Sequence, residues 1–154
     1  MAAGVVHSIN VSNGGVPKLP REACFVGVGG LEGDRQRDLR YHGGPGRAVC
    51  LYSLELITAL QAEGHSIAPG SIGENLTVGG VDWAQMTPGA RVEIGPVVLE
   101  LTDYAPPCNN IARSFQRRQY VRVNQKVNAG WSRLYARVLV EGTVRVGDSL
   151  KIAA

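Results

Sequence analysis

Twenty glycines and eight prolines are scattered along the 154 residues, and no stretch collects them into one linker. Proline removes a backbone donor, and glycine gives up side-chain packing for freedom in φ. A chain punctuated this often is expected to fold into many short strands joined by turns, not into a few long helices. Hydrophobic residues make up 44% and charged residues 19%, enough apolar surface for one core and one domain over residues 1–154. No apolar run reaches membrane-spanning length. Met1-Ala2-Ala3-Gly4 shows no basic stretch followed by an apolar one, so no signal peptide is expected.

Gly4 to Asn10 alternates loosely and reads as a first strand, and Cys24 to Val28 as a second, ended by Gly29-Gly30. Leu31 to Gly46 reads as a long polar loop broken by Gly33, Gly43, Gly44 and Pro45. Ala48 to Tyr52 has the short apolar run of a buried strand. Ser53 then caps a helix to about Glu63, with Leu56, Ile57 and Leu60 as its inner stripe and Gly64 as its stop. Pro69 to Gly73 is turn-rich and leads into a strand at Leu76-Thr77-Val78. Arg91 to Ile94 and Val97 to Thr102 form a hairpin about Gly95-Pro96. After Pro106-Pro107, Asn109 or Asn110 is expected to cap a helix carrying Ile111 and Phe115 on one face. Tyr120 to Asn128 fits strand or helix equally. Three strands close the chain, Tyr135–Val140, Thr143–Val146 and Ser149–Ile152. Roughly eight strands and two or three helices suffice for a barrel.

The three cysteines lie far apart with no Cys-x-x-Cys pair, which points away from a disulfide framework or a zinc site and toward a reduced, cytoplasmic protein. Cys24 and Cys50 sit in apolar surroundings and read as core. Cys108 differs: two prolines stiffen the chain before it and two asparagines follow at a helix start, where free N–H groups and the helix dipole favour a thiolate. A thiolate is a nucleophile, a persulfide carrier or a soft metal ligand, whereas a protonated thiol is a small hydrophobe. From Tyr104 to Val140 there is no Asp or Glu, while Arg113, Arg117, Arg118, Arg122, Lys126, Arg133 and Arg137 fall there. The run suits an anionic ligand, and serves equally as a solvated basic face. Phe115, Tyr120, Trp131 and Tyr135 intersperse it without a recognisable stacking motif, which places nucleic acid last among candidate partners.

Two further segments can shape a site. Gly30 to Arg35 and Tyr41 to Arg47 leave glycine backbone open to a ligand and place His42 among glycines; neither is a dinucleotide fingerprint nor a phosphate loop. Gly73-Glu74-Asn75 puts an acid and an amide at a strand entry, where they can orient a heterocycle or simply build a turn.

Taken in order, these pieces resemble the MOSC family, the molybdenum-cofactor sulfurase C-terminal type. The resemblance rests on Gly30 to Arg35, His42-Gly43-Gly44-Pro45 through Ser53, Pro69-Gly70 through Leu76, Pro107-Cys108, and Tyr135 to Leu139 with Gly147-Asp148. It implies a mainly β fold: a closed or partly open β-barrel of the MOSC type with two or three short helices, in the manner of small stand-alone members. It also implies molybdenum-cofactor (molybdopterin) chemistry, with Cys108 as the catalytic group and metal ligand. Asp34, Arg35, His42, Gly43, Gly44, Arg47, Gly73, Glu74, Asn75 and Arg113 are the residues expected to surround the cofactor. The soft thiolate suits molybdenum, the amide and acid suit a pterin rich in donors and acceptors, and arginine forks suit its phosphate. The family commonly has Asp after His-Gly-Gly-Pro; here Gly46 stands in that place and Arg47 keeps the basic position.

Two functions follow from the resemblance. One is reduction of N-hydroxylated compounds, with a small-molecule substrate and an external electron donor, since no flavin, haem or iron–sulfur motif is present. The other is a sulfur carrier that takes a persulfide on Cys108 from a sulfur donor protein and turns over nothing itself.

Overall fold

Alternating burial is what closes this chain into a barrel. The structure is a computed structural model that describes residues 4–34 and 44–153. In β1 (Gly4–Val11), Val6, Ile9 and Val11 point inward; in β7 (Arg91–Ile94), Val92 and Ile94 do so; in β8 (Val97–Ala105), Val97, Leu99 and Leu101. Period-two patterning of this kind puts one face of each strand on a common core. With β5 (Val49–Ser53), β6 (Leu76–Gly79), β9 (Arg133–Val140) and β11 (Ser149–Ile152), these strands run in the order β11-β7-β8-β9-β5-β6-β1. Pairing of β1 with β11 closes the seven-stranded barrel. A short β2 (Leu19–Arg21) pairs antiparallel with the end of β1, and β3 (Ala23–Gly27), β4 (Gly30–Leu31) and β10 (Gly142–Arg145) form a separate three-stranded sheet.

One neighbouring pair in the barrel, β5 and β6, is parallel, and a parallel pair needs a crossover. The crossover is α1 (Leu54–Ala62) with the loop after it. Ser53 caps α1 as expected, its hydroxyl accepting from the Leu56 amide at 3.2 Å, and Glu55 lies in the first turn. Gly64, at φ +103°, follows the last turn. Ile57 and Leu60 are buried, and Leu56 packs at the edge of the same cluster.

Every residue of β5 is buried, because the strand has packing on both faces. Val49 and Leu51 join the barrel interior. Tyr52 joins a second core outside the barrel, made with Ile57, Leu60, Ile67, Ile72, Ile111, Phe115 and Val123. Cys50 forms a third, small cluster with Ala105 and Tyr135.

Three expectations are corrected. The segment after Cys108 is not an α-helix but a 3-10 helix, Asn109–Ser114, followed by shorter 3-10 turns at Gln116–Arg118 and Tyr120–Val123. Neither asparagine caps it: Cys108 holds the cap position with no side-chain cap bond. The glycine-poor, arginine-rich run has too few adjacent apolar positions for a long α-helical stripe, and Arg117 and Arg118 both take positive φ, which breaks it. The described residues contain eleven strands, two more than the nine segments read from the sequence: β2 and β4 are only three and two residues long and lack a periodic signal. The segment Tyr120–Asn128 resolves to a 3-10 turn and further turns.

Candidate functional site around Cys108

β8 leaves the barrel at Ala105, and Pro106-Pro107 end its pairing by lacking amide donors. Cys108 follows, half-buried, while Cys24 and Cys50 are both buried. Its carbonyl accepts from the Ile111 amide at 3.1 Å, which starts the 3-10 helix. Of the three thiols, then, Cys108 is the one displayed. Burial pushes the Cys24 thiol up and the Cys50 thiol up to about 11, so both stay protonated and inert at neutral pH.

Tyr135 lies behind this turn. It is buried with Cys50 and Ala105, and the Arg47 guanidinium sits over its ring at 5.4 Å from the centroid. Burial, then the Cys50 thiol, push the Tyr135 phenol up, against the opposing pull of Arg133 and Arg47; Cys108 adds to the push. These five side chains therefore sit within one electrostatic neighbourhood, and the phenol keeps its proton.

Arg133 is a buried guanidinium, 5% exposed. Its Nη1 donates to Ile72 O at 2.7 Å, and its Nη2 to Pro106 O at 3.2 Å and Ala105 O at 3.5 Å. Its Nε is buried without a hydrogen-bond partner. Buried arginines usually face a carboxylate; here carbonyl oxygens take the charge.

One layer further in lies a second polar group. Asn75 Oδ1 accepts from the Cys50 amide at 2.9 Å, and Asn75 Nδ2 donates to Asp34 Oδ2 at 2.9 Å and to Asn10 O at 3.3 Å. Asp34 also takes Lys18 Nζ at 2.5 Å and the Ser12 amide at 3.0 Å, with side chains only 7% and 4% exposed for Lys18 and Asp34. Glu74 is fully buried; Thr77 donates to its Oε2 at 2.9 Å, while Oε1 has no hydrogen-bond partner. Burial raises the Glu74 carboxyl above its ordinary value, opposed by the amides of Gly70 and Glu74, by Thr77 and by the Arg133 charge.

The expected site residues thus divide. Arg47 lies over the Tyr135 ring, and Cys108 is close enough to act on the charge of that phenol. Asp34, Glu74 and Asn75 lie behind them, engaged by protein groups and linked forward through Cys50. Gly73, partly buried at φ +86°, turns the chain into Glu74. Gly44 is exposed at φ +94° and opens the 3-10 turn Pro45–Arg47. Gly46, in the position where an acid was expected, accepts the Thr102 hydroxyl through its carbonyl at 2.5 Å. Arg113 is exposed on the 3-10 helix behind Cys108. Arg35, His42 and Gly43 lie outside the described residues.

Sequence reasoning did not single out Arg133, Tyr135, Lys18 or Asn10 as site residues. A charged or polar residue inside an apolar strand pattern is the available signal for Arg133 and Asn10; nothing local marks Lys18. The acid-free run is also less basic in space than in sequence. Arg122 makes a paired contact with Glu63 at 2.8 and 3.0 Å and stacks over Trp131 at 3.9 Å; Arg137 faces Glu100 at 3.6 Å; Arg118 donates to Asn109.

Among the described residues no group of three or more His, Cys, Asp and Glu side chains could hold a metal ion. A metal here would take one soft protein ligand, Cys108, with the rest of its shell supplied by its own organic ligand. A molybdenum bound through a dithiolene cofactor meets that condition, and the Arg133 charge, which no acidic side chain among the described residues takes up in an ion pair, suits an anionic cofactor. The residues present fit the group.

Residues 38–151 match the MOSC domain family. The chain is 31% identical over 140 residues to the uncharacterized protein YflK of Bacillus subtilis, covering 90% of this chain and 62% of that one. It is 29% identical to the protein YiiM of Escherichia coli, covering 81% of this chain and 57% of that one. It thus spans about three fifths of the length of these relatives. Among solved structures, Escherichia coli YiiM superposes with TM-score 0.75 at 21% identity, over 100% of this chain and 71% of that one. The YUAD protein of Bacillus subtilis superposes with TM-score 0.78 at 16% identity, over 98% of this chain and 96% of that one. At these identities the structural likeness speaks for the barrel fold.

Proposed function

The chain belongs to the MOSC domain family, whose members are associated with molybdenum-cofactor binding, and from that premise we propose that it binds the molybdenum cofactor through Cys108 and reduces N-hydroxylated compounds. The observation that carries the reading is the contrast among the thiols: Cys108 alone is displayed, while Cys24 and Cys50 are buried with raised pKa values.

When bound, the cofactor supplies a two-electron redox centre. In the overall change an N-hydroxylated substrate takes two electrons and two protons, its N–O bond breaks, and an amine and water leave. The electrons come from an external donor. The chain's own residues do the holding. Cys108 offers a soft ligand at a turn stiffened by Pro106 and Pro107. Arg47, over Tyr135, and Arg133, beneath the turn, favour negative charge at this site. The Tyr135 phenol, kept protonated by burial, stays a hydrogen-bond donor beside them. Asp34 and Asn75 stand behind and hold the strand that carries Cys50. No helix among the described residues is long and apolar enough to cross a membrane.

The test is molybdenum and pterin content of the protein purified anaerobically from a molybdenum-replete host, beside Cys108→Ser. Near-stoichiometric molybdenum, lost in the variant, supports the metal-ligand role, and reduction of a benzamidoxime-type substrate with an artificial reductant then supports the reductase. A wild-type protein free of molybdenum overturns the reading; a persulfide trapped on Cys108 in that case identifies a sulfur carrier.

A further inference from the structure

Arg133 is the element at this site that ordinary packing does not explain. It enters β9 opposite Ala105, and its guanidinium turns to meet two segments far apart in sequence. One is the turn that delivers Cys108, met at the carbonyls of Ala105 and Pro106; the other is the loop that ends in Glu74 and Asn75, met at the carbonyl of Ile72. A planar fork with fixed donor directions can hold two carbonyl groups in one relative geometry, which an ammonium on a flexible stem cannot do as well. The charge is buried, and no acidic side chain forms an ion pair with it among the described residues, although Glu74 lies close enough to feel it. A leucine or methionine would fill the space without that desolvation cost. The residue kept here does something that apolar packing does not.

The geometry points to Arg133 as a positioning residue: its guanidinium ties the Pro106–Cys108 turn to the Gly70–Asn75 loop and so sets where the Cys108 sulfur is presented. The inference takes from the proposed function only that Cys108 is the working group, and it needs no metal. Losing a hydrogen bond from a charged donor that restrains a loop changes local opening about ten- to a hundredfold.

Three proteins decide it, all without cofactor: wild type, Arg133→Met and Arg133→Lys. Amide hydrogen exchange is followed by mass spectrometry for peptides covering 70–75 and 106–111. Alkylation of Cys108 by iodoacetamide is timed at one fixed pH, with Cys24 and Cys50 as internal reporters of an intact barrel. In Arg133→Met the two segments, 30 or more residues apart, are expected to lose protection together by about tenfold or more, while peptides from β7 and β11 keep theirs. The Cys108 alkylation rate is expected to change several-fold, with Cys24 and Cys50 silent. Arg133→Lys keeps the charge and most of the stem, so it covers the case in which the methionine variant fails to fold; the same paired loss, at smaller amplitude, is expected there. Unchanged exchange in both segments of the lysine variant overturns the proposal. So does loss spread evenly over the barrel, which marks a general contribution to stability, or loss in one segment alone. Because the readout is local opening and thiol access in the cofactor-free chain, a protein that never binds molybdenum can still pass it, and a failure here leaves the molybdenum reading standing.

Discussion

Asn75 clamps Cys50 from both sides of the peptide: its Oδ1 accepts from the Cys50 amide at 2.9 Å, and its own amide donates to Cys50 O at 2.7 Å. The side chain thereby continues the parallel ladder of β5 and β6 by one residue where backbone alone would leave the Cys50 amide unpaired. Asn75→Leu removes the acceptor for that buried amide and the donor to Asp34 and Asn10. Orphaning the Cys50 amide alone costs about 1–3 kcal/mol, so the variant is expected to lose at least about five- to a hundredfold in folding equilibrium. Urea unfolding checks it; a midpoint equal to wild type would show the clamp to be idle.

Lys18 and Asp34 form an ion pair with both side chains nearly buried, 2.5 Å apart. Breaking such a pair from one side is expensive because the other charge stays buried, about 3–5 kcal/mol, while replacing both is far milder. Lys18→Met alone is expected to destabilise in that range. The double variant Lys18→Met with Asp34→Leu should recover part of the loss, a coupling a double-mutant cycle measures directly. Strict additivity of the two single effects would show that the pair is not coupled. Asn75 also contacts Asp34, so part of the recovery is offset by its freed amide.

Glu74 carries a raised carboxyl pKa because it is buried. The unfolded chain therefore gives up this proton at lower pH than the folded chain does. Stability from this group is full below the ordinary carboxylate pKa and is lost as pH rises toward the folded value. Glu74→Gln keeps an acceptor for Thr77 without the charge, so it is expected to gain on wild type as pH rises from about 4 to 7, with the two proteins closest at the acid end. Paired urea midpoints at acid and neutral pH give the sign. A variant that falls further behind wild type as pH rises would mean that the carboxylate, held by Gly70, Thr77 and Arg133, is the favoured form.

Gly70 takes φ +83°, and a Cβ there would stand 2.5 Å from Lys18 O and 3.2 Å from Asn10 Cγ. The close approach is what lets the Lys18 amide donate to Gly70 O at 2.9 Å and sets Lys18 against Asp34. Gly70→Ala meets both a positive φ and a backbone clash, each costing on the order of 1–3 kcal/mol. Thermal unfolding is expected to fall by several degrees or more, whereas Gly89→Ala, at φ +95° with open space around its Cβ, should show the smaller effect of conformation alone. Equal losses at the two positions would remove the clash from the account.

The fold was legible where local pattern and tertiary packing agree. Ser53, Glu55 and Gly64 mark both ends of α1, and alternation in β7 and β8 marks a hairpin, because those signals are local and physical. Of the candidate site, the Pro-Pro-Cys turn that displays Cys108 could be placed from local sequence alone. It was not legible where partners come from distant segments. Nothing near Glu63 announces that it will take Arg122 out of the basic run, and nothing near Lys18 announces Asp34. Arg133 read only as one member of a basic run, suited to an anionic ligand or to a solvated face, because sequence spacing shows charge but not burial. The helix expected after Cys108 failed for a related reason: Ile111 and Phe115 have α-helical spacing, but the chain leaves the helix at Phe115 and takes positive φ at Arg117 and Arg118, which no local sequence signal announces.

The three thiols give the sharpest separation of core from site. Cys50 is fully enclosed with its pKa pushed up to about 11, Cys24 is buried with its pKa raised, and Cys108 is half-buried on a turn. Alkylation at neutral pH followed by peptide mapping is expected to label Cys108 first, with Cys24 and Cys50 labelled only on unfolding. The Cys50 shift also has a consequence for stability. The unfolded thiol ionises near its ordinary value of 9.0 and the folded one only at about 11, so stability from this group is full below 9.0 and falls as pH rises through that window. Cys50→Ala is expected to lose apolar packing at neutral pH, yet to show a flatter alkaline leg than wild type between those two values. Wild-type labelling of Cys50 at a rate comparable to Cys108 in the folded protein would contradict the burial on which both expectations rest.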